Sequence, residues 1–250
     1  MQERLQTPLS PVTEDRLFGA SLRLLQPASG HRAGTDAVLL AASTLAGAHR
    51  IADLGAASGV VGLRAAQINP EASVTLVERD PALVDLARRN VALNALEDRV
   101  AVLEADVLSL SRRPDMREVF DLVLTNPPFL EAGSVRVSPK ANRAVAHVMA
   151  EPLDDWVRNA VAVLAPKGHL VMIHRADALD AAVAAFSKRL GAMQVRFVHP
   201  RDTASATRLL ISGRKGSRAP LAVLPPLVLH GEDGEFLPDA ASLHAGKVRL

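Results

Sequence analysis

The chain has 250 residues, of which 48% are hydrophobic and 22% charged, and it contains no cysteine. This composition is ordinary for a globular protein, and the lack of cysteine excludes disulfide frameworks, thiolate metal sites and cysteine nucleophiles. The formal net charge of +2 is too small to indicate a nucleic-acid partner, so only the placement of basic residues can do so. No apolar run approaches the ~18 residues of a membrane span and no export signal is evident, so we expect a cytoplasmic protein.

Three regions are expected along the chain. Residues 1–30 begin with a polar stretch that holds Pro8 and Pro11, which predicts an N-terminal arm or hairpin. Residues 31–218 carry an alternating strand and helix pattern and are expected to form the main domain. Residues 219–250 predict an extension packed on the same domain, as an extra strand pair or a tail.

In chain order, short apolar strands alternate with helical segments. Helices are predicted over 35–47, 60–68, 80–94, 152–164 and 176–190, and strands over 50–55, 73–78, 100–104, 120–125, 169–174, 193–199 and 207–212. Strands separated by helices predict an α/β fold with a mostly parallel, seven-stranded sheet and helices on both faces. The last two strands have no helix between them, so the last strand is expected to be antiparallel.

The residues that close each strand form the candidate site, because ligands of an open parallel sheet bind beyond the carboxyl ends of its strands. The first strand ends in Asp53-Leu-Gly55-Ala-Ala57-Ser-Gly59. Its glycines permit a tight turn and let a ligand approach the backbone closely. Many strand-to-helix turns contain two glycines, so this segment alone also fits a purely structural turn.

Carboxylates close the next two strands. Glu78 ends the second strand at a spacing that suits a ribose diol. Asp106 ends the third, where it could accept a hydrogen bond from an adenine amino group or stabilise a turn. Asp80 directly precedes Pro81, so we expect it to act as a helix N-cap.

The fourth strand ends in Asn126-Pro127-Pro128-Phe129. Two consecutive prolines end a strand, stiffen the turn and leave carbonyl groups free to accept. Asn126 Oδ1 and the Pro127 carbonyl can together accept both hydrogens of one planar NH2 group, and Phe129 offers a flat apolar face beside it. The segment predicts a site for an amine or amide nitrogen; a rigid turn with a core phenylalanine is the structural alternative.

The order of these motifs resembles the class I S-adenosylmethionine-dependent methyltransferases that carry an N-P-P-[FY] motif. The resemblance spans most of the chain and implies a Rossmann-like fold with S-adenosylmethionine as cofactor. The cofactor-binding residues that it implies are Asp36, Asp53, Gly55, Ala57, Gly59, Glu78, Asp106 and Asn126. The family pattern has glycine where this sequence has Ala57, and the extra methyl group is expected to crowd the cofactor.

A narrower resemblance is to the bacterial valine-tRNA adenine-N6 methyltransferases, through Gly34-Thr35-Asp36 and a basic stretch from Arg208 to Gly216. It implies methylation of adenine N6 in a tRNA, at the adenine 3′ of the anticodon, with RNA as the partner. Thr35 or Asp36 would also serve as an ordinary helix N-cap. We expect the basic residues near the ligand end of the sheet. The implied catalytic residues are Asn126, Pro127 and Phe129, and the implied substrate-binding residues are Phe129, Arg136, Lys140, Arg208, Arg214 and Lys215.

Other chemistries were weighed against this one. A protein-glutamine N5 methyltransferase or an rRNA guanine-N2 methyltransferase would use the same loop, and an inactive RNA-binding module of the same fold is the non-enzyme alternative. The eight histidines show no metal-binding spacing, so we expect no metal, and no P-loop or G-x-S-x-G turn occurs. A nicotinamide-binding fold would account for Gly55, Gly59 and Glu78 but leaves the Asn126 segment unexplained.

Overall fold

A computed structural model of the protein describes residues 11–29, 32–128 and 142–250, with the backbone alone described over 142–152. The first described element is an antiparallel hairpin of β1 (Val12–Leu17) and β2 (Leu22–Pro27). Leu22 and Leu24 of β2 are fully buried in the core. They share a side because alternate residues of a strand point to the same face.

Over the described residues, one sheet of nine strands forms the centre of the protein. In chain order its strands are β3 (Arg50–Leu54), β4 (Ser73–Glu78), β5 (Val100–Glu104), β6 (Phe120–Thr125), β7 (Leu164–Arg175), β8 (Leu190–His199), β9 (Arg208–Lys215), β10 (Ala222–Val223) and β11 (Leu227–Val228). Across the sheet the order is β10-β8-β9-β7-β6-β3-β4-β5, and β11 also pairs with β8. All neighbouring pairs are parallel except those of β9, which is antiparallel to both β7 and β8.

The seven predicted strands correspond to β3 through β9. This confirms the α/β fold with a mostly parallel sheet and an antiparallel last strand. The short strands β10 and β11 of the C-terminal segment both add to the edge strand β8 and do not pair with each other. Because β9 runs against its neighbours, Arg208 lies beside Arg175 at the carboxyl end of β7, whereas Arg214 lies beside His169 nearer its other end.

Helices cover both faces of the sheet, as expected. Over the described residues they are α1 (Thr35–Ala42), α2 (Val60–Ile68), α3 (Pro81–Leu93), α4 (Asn142–Val163), α5 (Leu179–Ser187) and α6 (Pro238–His244). Helices α1, α2, α3 and α6 contribute to an apolar core on one face, and α4 and α5 to a second core on the other. The helix predicted over 35–47 ends earlier, at Ala42, and the one predicted from residue 152 begins at Asn142.

Asn90 on the buried side of α3 connects the hairpin to the turn that follows β3. Its Oδ1 accepts a hydrogen bond from Leu25 N at 2.6 Å, and its Nδ2 donates to Leu25 O at 2.8 Å and to Ser58 O at 2.9 Å. A buried backbone group without a partner costs about 1–3 kcal/mol. By satisfying three such groups, one side chain holds the hairpin to both α3 and the turn.

Candidate active site

The carboxyl ends of the parallel strands meet around a cavity of about 940 Å³. Residues that follow β3, β4, β5 and β6 line one side, and the end of β7 with the start of β9 lines another. Of the residues predicted from the sequence, those that line the cavity are Gly55, Ala57, Glu78, Asp106, Asn126, Pro127 and Arg208. The fold therefore brings these seven of the predicted site residues together at one edge of the sheet.

The turn after β3 has a left-handed backbone at Gly55 (φ 75°), Ala57 (φ 48°) and Gly59 (φ 93°). Gly59 is the N-cap of α2, and a Cβ added there would lie 2.8 Å from Leu76 Cδ1, so the packing beneath the turn requires glycine. The left-handed conformation costs an L-residue such as Ala57 about 1–2 kcal/mol. The methyl group that departs from the family pattern therefore lies on a strained backbone at the cavity wall.

Glu78 is buried at the end of β4 and holds this turn in place. Its Oε2 accepts from Ala57 N at 2.9 Å, and its Oε1 accepts from Arg79 N at 2.8 Å and Asp80 N at 2.9 Å. A carboxylate offers about four acceptor sites. Both acceptor sites of Oε1 are occupied by these bonds. Oε2 uses only one of its two sites, so the other can accept from a ligand hydroxyl.

Two further carboxylates at this edge cap helical turns. Asp80 Oδ1 accepts from Ala82 N at 2.8 Å, which confirms the predicted N-cap of α3. Asp106 Oδ1 accepts from Leu108 N at 2.9 Å and so caps the 3-10 turn that follows β5. Asp106 also lines the cavity, so its geometry allows both roles considered for it.

Asp53 is placed differently from the expectation. Its side chain is only 2% exposed, and its Oδ2 accepts from Gly62 N in the first turn of α2 at 2.8 Å. Asp53 is not among the described residues that line the cavity. The structure therefore does not place Asp53 at the cavity, because its carboxyl group is turned beneath the glycine turn to anchor α2.

The Asn126 segment closes β6 at the cavity wall. Asn126, Pro127 and Pro128 all line the cavity. Asn126 Oδ1 is buried and has no hydrogen-bond partner among the residues that the structure describes. Phe129, Arg136 and Lys140, which the sequence also pointed to, lie outside the described residues.

Asp36 acts through Arg208. Both carboxylate oxygens of Asp36 accept from Arg208 Nε, at 3.0 and 2.9 Å, and Arg208 lines the cavity. The N-cap of α1 is Gly34 without a side-chain capping bond, so the cap considered for Thr35 or Asp36 is not formed. Asp36 itself is not among the cavity-lining residues of the described chain, so its predicted contact with the cofactor is not seen.

Arg214 and Lys215 are at the opposite end of the sheet from the cavity. Arg214 Nε donates to Lys167 O at 3.2 Å, and Lys215 Nζ donates to Glu118 Oε1 at 3.0 Å and to Leu164 O at 2.6 Å. The expectation that they lie at the ligand end is wrong, because β9 is antiparallel and only its first residue, Arg208, reaches that end.

Arg175 and Trp156 are two of the cavity residues that the sequence did not predict. Arg175 ends β7 and donates from Nε to Asp177 Oδ1 at 2.9 Å. It is the residue directly after the predicted strand, so the strand-end criterion could have found it. Trp156 of α4, the only tryptophan in the chain, also lines the cavity. Nothing in its sequence neighbourhood pointed to it.

Within the part of the chain that the structure describes, no three His, Asp or Glu side chains are grouped as metal ligands. No helix in those ranges is long and apolar enough to cross a membrane.

Comparisons with known proteins identify the family. The sequence matches the methyltransferase small domain over residues 32–196. A tRNA1(Val) (adenine(37)-N6)-methyltransferase from Porphyromonas gingivalis is 30% identical over 223 residues, which cover 85% of this chain and 86% of that protein. A crystal structure described as a predicted O-methyltransferase from Agrobacterium tumefaciens is 32% identical, with a TM-score of 0.72, over 86% of this chain and 98% of that one. The 16S rRNA N2 G1207 methyltransferase of T. thermophilus, bound to AdoMet and guanosine, shares the fold at 23% identity and a TM-score of 0.58, over 84% of this chain and 51% of that one.

Fold, cavity and matches together define a methyltransferase whose cofactor is S-adenosylmethionine. The chain belongs to the family of the tRNA1(Val) (adenine(37)-N6)-methyltransferases. The residues present fit the cofactor. The cavity has the size of a typical small-molecule site, the turn at Gly55 leaves the backbone accessible, and Glu78 Oε2 has an acceptor site for a ribose hydroxyl.

The stability of the fold is expected to depend on pH through Asp53. Burial raises the pKa of its carboxyl group from 3.8 to about 7. The hydrogen bond from Gly62 N lowers this pKa, and the nearby negative charge of Glu78 raises it further. The native state then holds a proton that the unfolded chain has released, so stability falls as pH rises toward 7. Between about pH 5 and pH 8, the free energy of unfolding of wild type, measured with urea, should fall by about 2–3 kcal/mol more than that of Asp53→Asn. Parallel pH profiles for the two proteins would contradict this.

Proposed function

We propose that this protein transfers a methyl group from S-adenosylmethionine to the N6 amine of an adenine in tRNA, the adenine 3′ of the anticodon. One observation carries the proposal: Asn126 Oδ1 is buried at the cavity wall without a partner in the described residues. An unpaired buried acceptor costs about 1–3 kcal/mol, which a donor on a ligand recovers. The P. gingivalis relative is named for adenine N6 of a tRNA, which supports that amine as the donor. We propose a cytoplasmic location for the protein, in keeping with a tRNA substrate.

The cofactor supplies a methyl group that is already activated on a sulfonium. The protein binds the acceptor and orients it toward this methyl group. Asn126 Oδ1 and the Pro127 carbonyl accept the two hydrogens of N6, which draws this planar nitrogen toward a tetrahedral geometry and directs its lone pair. Phe129 is proposed to stack on the base, a contact worth about 1–3 kcal/mol. No side chain need act as a base before transfer, because the methylated amine loses its proton readily.

The same two acceptors would also suit a glutamine amide or guanine N2, so the acceptor must be tested directly. Wild type is incubated with labelled cofactor and, separately, with tRNA, rRNA and a protein release factor. Label in tRNA, located on adenine N6 by nucleoside analysis, is the expected result. Label in rRNA or protein alone would replace the proposed substrate. Cofactor binding without transfer to any acceptor would support the inactive module.

Glu78 is proposed to accept from a ribose hydroxyl of the cofactor through Oε2. Glu78→Ala should weaken binding of S-adenosylhomocysteine more than about tenfold, since hydrogen bonds to a charged group contribute ~1.5–3 kcal/mol. Asp80→Ala is the matched control, because Asp80 lines the same cavity but caps α3. It should lower stability by about 1 kcal/mol and leave the affinity unchanged. Calorimetric titration measures both, and normal affinity in Glu78→Ala would show that the ribose binds elsewhere.

Asn126 is proposed to act on the acceptor and not on the fold. Asn126→Ala should lower kcat by about 10²–10³-fold, the usual loss when one hydrogen bond that favours the transition state is removed. The affinity for S-adenosylhomocysteine should stay within about threefold of wild type, a change of well under 1 kcal/mol. Asn94→Ala, at the half-buried C-cap of α3, removes two hydrogen bonds to Arg23 of the hairpin and controls for loss of a structural asparagine: it should lower stability and leave kcat unchanged. An equal loss of affinity and kcat in Asn126→Ala would instead indicate a structural turn.

Arg175 and Arg208 are proposed to contact the RNA backbone. They lie directly opposite each other on β7 and β9, and both line the cavity. Two like charges placed opposite each other repel. Each guanidinium group is held by a carboxylate of its own: Arg175 donates to Asp177, and Arg208 donates to Asp36. The two guanidinium groups, each already paired with a carboxylate, place positive charge at the cavity, where it can attract the phosphates of the proposed RNA. Arg136 and Lys140 are proposed to join them.

The salt dependence of tRNA binding tests this assignment. Arg175→Ala should reduce the slope of log affinity against log salt by about 0.7–0.9, the value for one phosphate contact. Arg214→Ala removes the same charge at the far end of the sheet and should leave the slope unchanged. Anisotropy of labelled tRNA over a range of salt concentrations gives both slopes. If Arg214→Ala flattens the slope as much as Arg175→Ala, the RNA also contacts the far end of the sheet and the assignment is wrong.

A further inference from the structure

Trp156 of α4 connects the two turns between which methyl transfer is proposed to occur. Its Nε1 donates to Thr125 Oγ1 at 2.9 Å, and Thr125 Oγ1 in turn donates to Leu54 O at 2.8 Å. Thr125 immediately precedes Asn126, and Leu54 immediately precedes Gly55. The acceptor-side turn and the cofactor-side turn are therefore linked through one indole and one hydroxyl.

The direction of this chain of hydrogen bonds is fixed. A hydroxyl has one hydrogen to donate, and that of Thr125 is used on Leu54 O. Thr125 Oγ1 can then only accept from Trp156, and an indole N–H can only donate. The hydroxyl is fully buried, so no other donor replaces Trp156 without a change in the surrounding structure.

The ring of Trp156 also limits the position of the cofactor-side turn. A Cβ built on Gly55 would lie 3.3 Å from Trp156 Cζ2 and 3.4 Å from Cη2, closer than a comfortable van der Waals contact. The Gly55 backbone therefore rests against the ring, and both line the cavity. Trp156 thus contacts one turn through its ring and the other through its N–H.

The core packing of α4 is supplied by neighbouring residues. Leu153, Val157 and Ala160 of the same helix are buried in the second core. Trp156 packs against that core at its edge, is only partly buried and reaches the cavity. The position of Trp156 is therefore suited to setting the geometry of the cavity wall, while its neighbours fix the helix.

We propose that Trp156 is a positioning residue for methyl transfer. It holds the Asn126 turn at a fixed distance from the Gly55 turn, and so sets the approach of the acceptor amine to the methyl donor. A displacement of about 1 Å between reactants costs on the order of 100-fold in rate. This inference rests on the proposed function, because it needs an amine acceptor at Asn126.

The test compares Trp156→Phe, Thr125→Val and the double variant. Each single change should lower kcat about 10–100-fold, with KM for tRNA and affinity for S-adenosylhomocysteine within about threefold of wild type. Because the two groups belong to one chain of hydrogen bonds, the double variant should lose no more than the worse single variant. Thr125→Ser, which keeps the hydroxyl, should restore most of kcat. Val157→Ala is the matched control on α4 and should lower Tm without lowering kcat.

Fluorescence gives a second measurement that needs no RNA. The chain has one tryptophan and no tyrosine, so its emission reports on the cavity wall alone. Saturating S-adenosylhomocysteine should change the emission of wild type. An unchanged emission, a wild-type kcat in Trp156→Phe, or a loss of kcat matched by an equal loss of cofactor affinity would each overturn the proposal.

The kcat ratio is measured on whichever acceptor wild type methylates. Failure of tRNA as an acceptor therefore contradicts the proposed substrate, and a ratio near one contradicts the role of Trp156.

Discussion

The parallel pairing of β3 with β6 sets Leu54 opposite Thr125, and the cavity depends on this register. Because of this register, the turns that begin at Gly55 and Asn126 follow adjacent strands at the same edge of the sheet. A shift of one residue would turn the side chains that pack into one core toward the other core. The parallel pairing of β3 with β4 then brings Glu78 behind the same turn, where its carboxylate accepts from Ala57 N. Three adjacent strands thus supply the cofactor side and the acceptor side together.

Much of the site could be predicted from the sequence because strand ends are local features. Glu78 ends one apolar strand, Asp80 lies two residues beyond it, and Asn126 directly follows another. A parallel sheet gathers such ends at one edge. Arg175 obeys the same rule, since it directly follows the strand predicted over 169–174. Asp53 shows the limit of the rule, since a strand-end residue can also point beneath the turn.

The remainder depended on the direction of strands and on contacts between distant segments. Arg208, Arg214 and Lys215 are close in sequence, but seven residues of extended chain span roughly 23 Å. The antiparallel last strand was predicted, and its direction already implies that these side chains separate across the sheet. The contacts of Trp156 with Thr125 and Gly55 bridge segments about 30 and 100 residues away, and no local pattern encodes them.

The side chain of Asn90 has a consequence for how the protein opens. Because it bonds both to Leu25 and to Ser58 O, separation of the hairpin from α3 would remove two of the three hydrogen bonds that orient the amide group holding the cofactor-side turn. The backbone amides of β2 and of that turn therefore belong to one cooperative unit of local unfolding and should exchange with solvent deuterium at similar rates. A ligand held by the turn would therefore slow amide exchange in the hairpin. It would do so although no described residue of the hairpin lines the cavity.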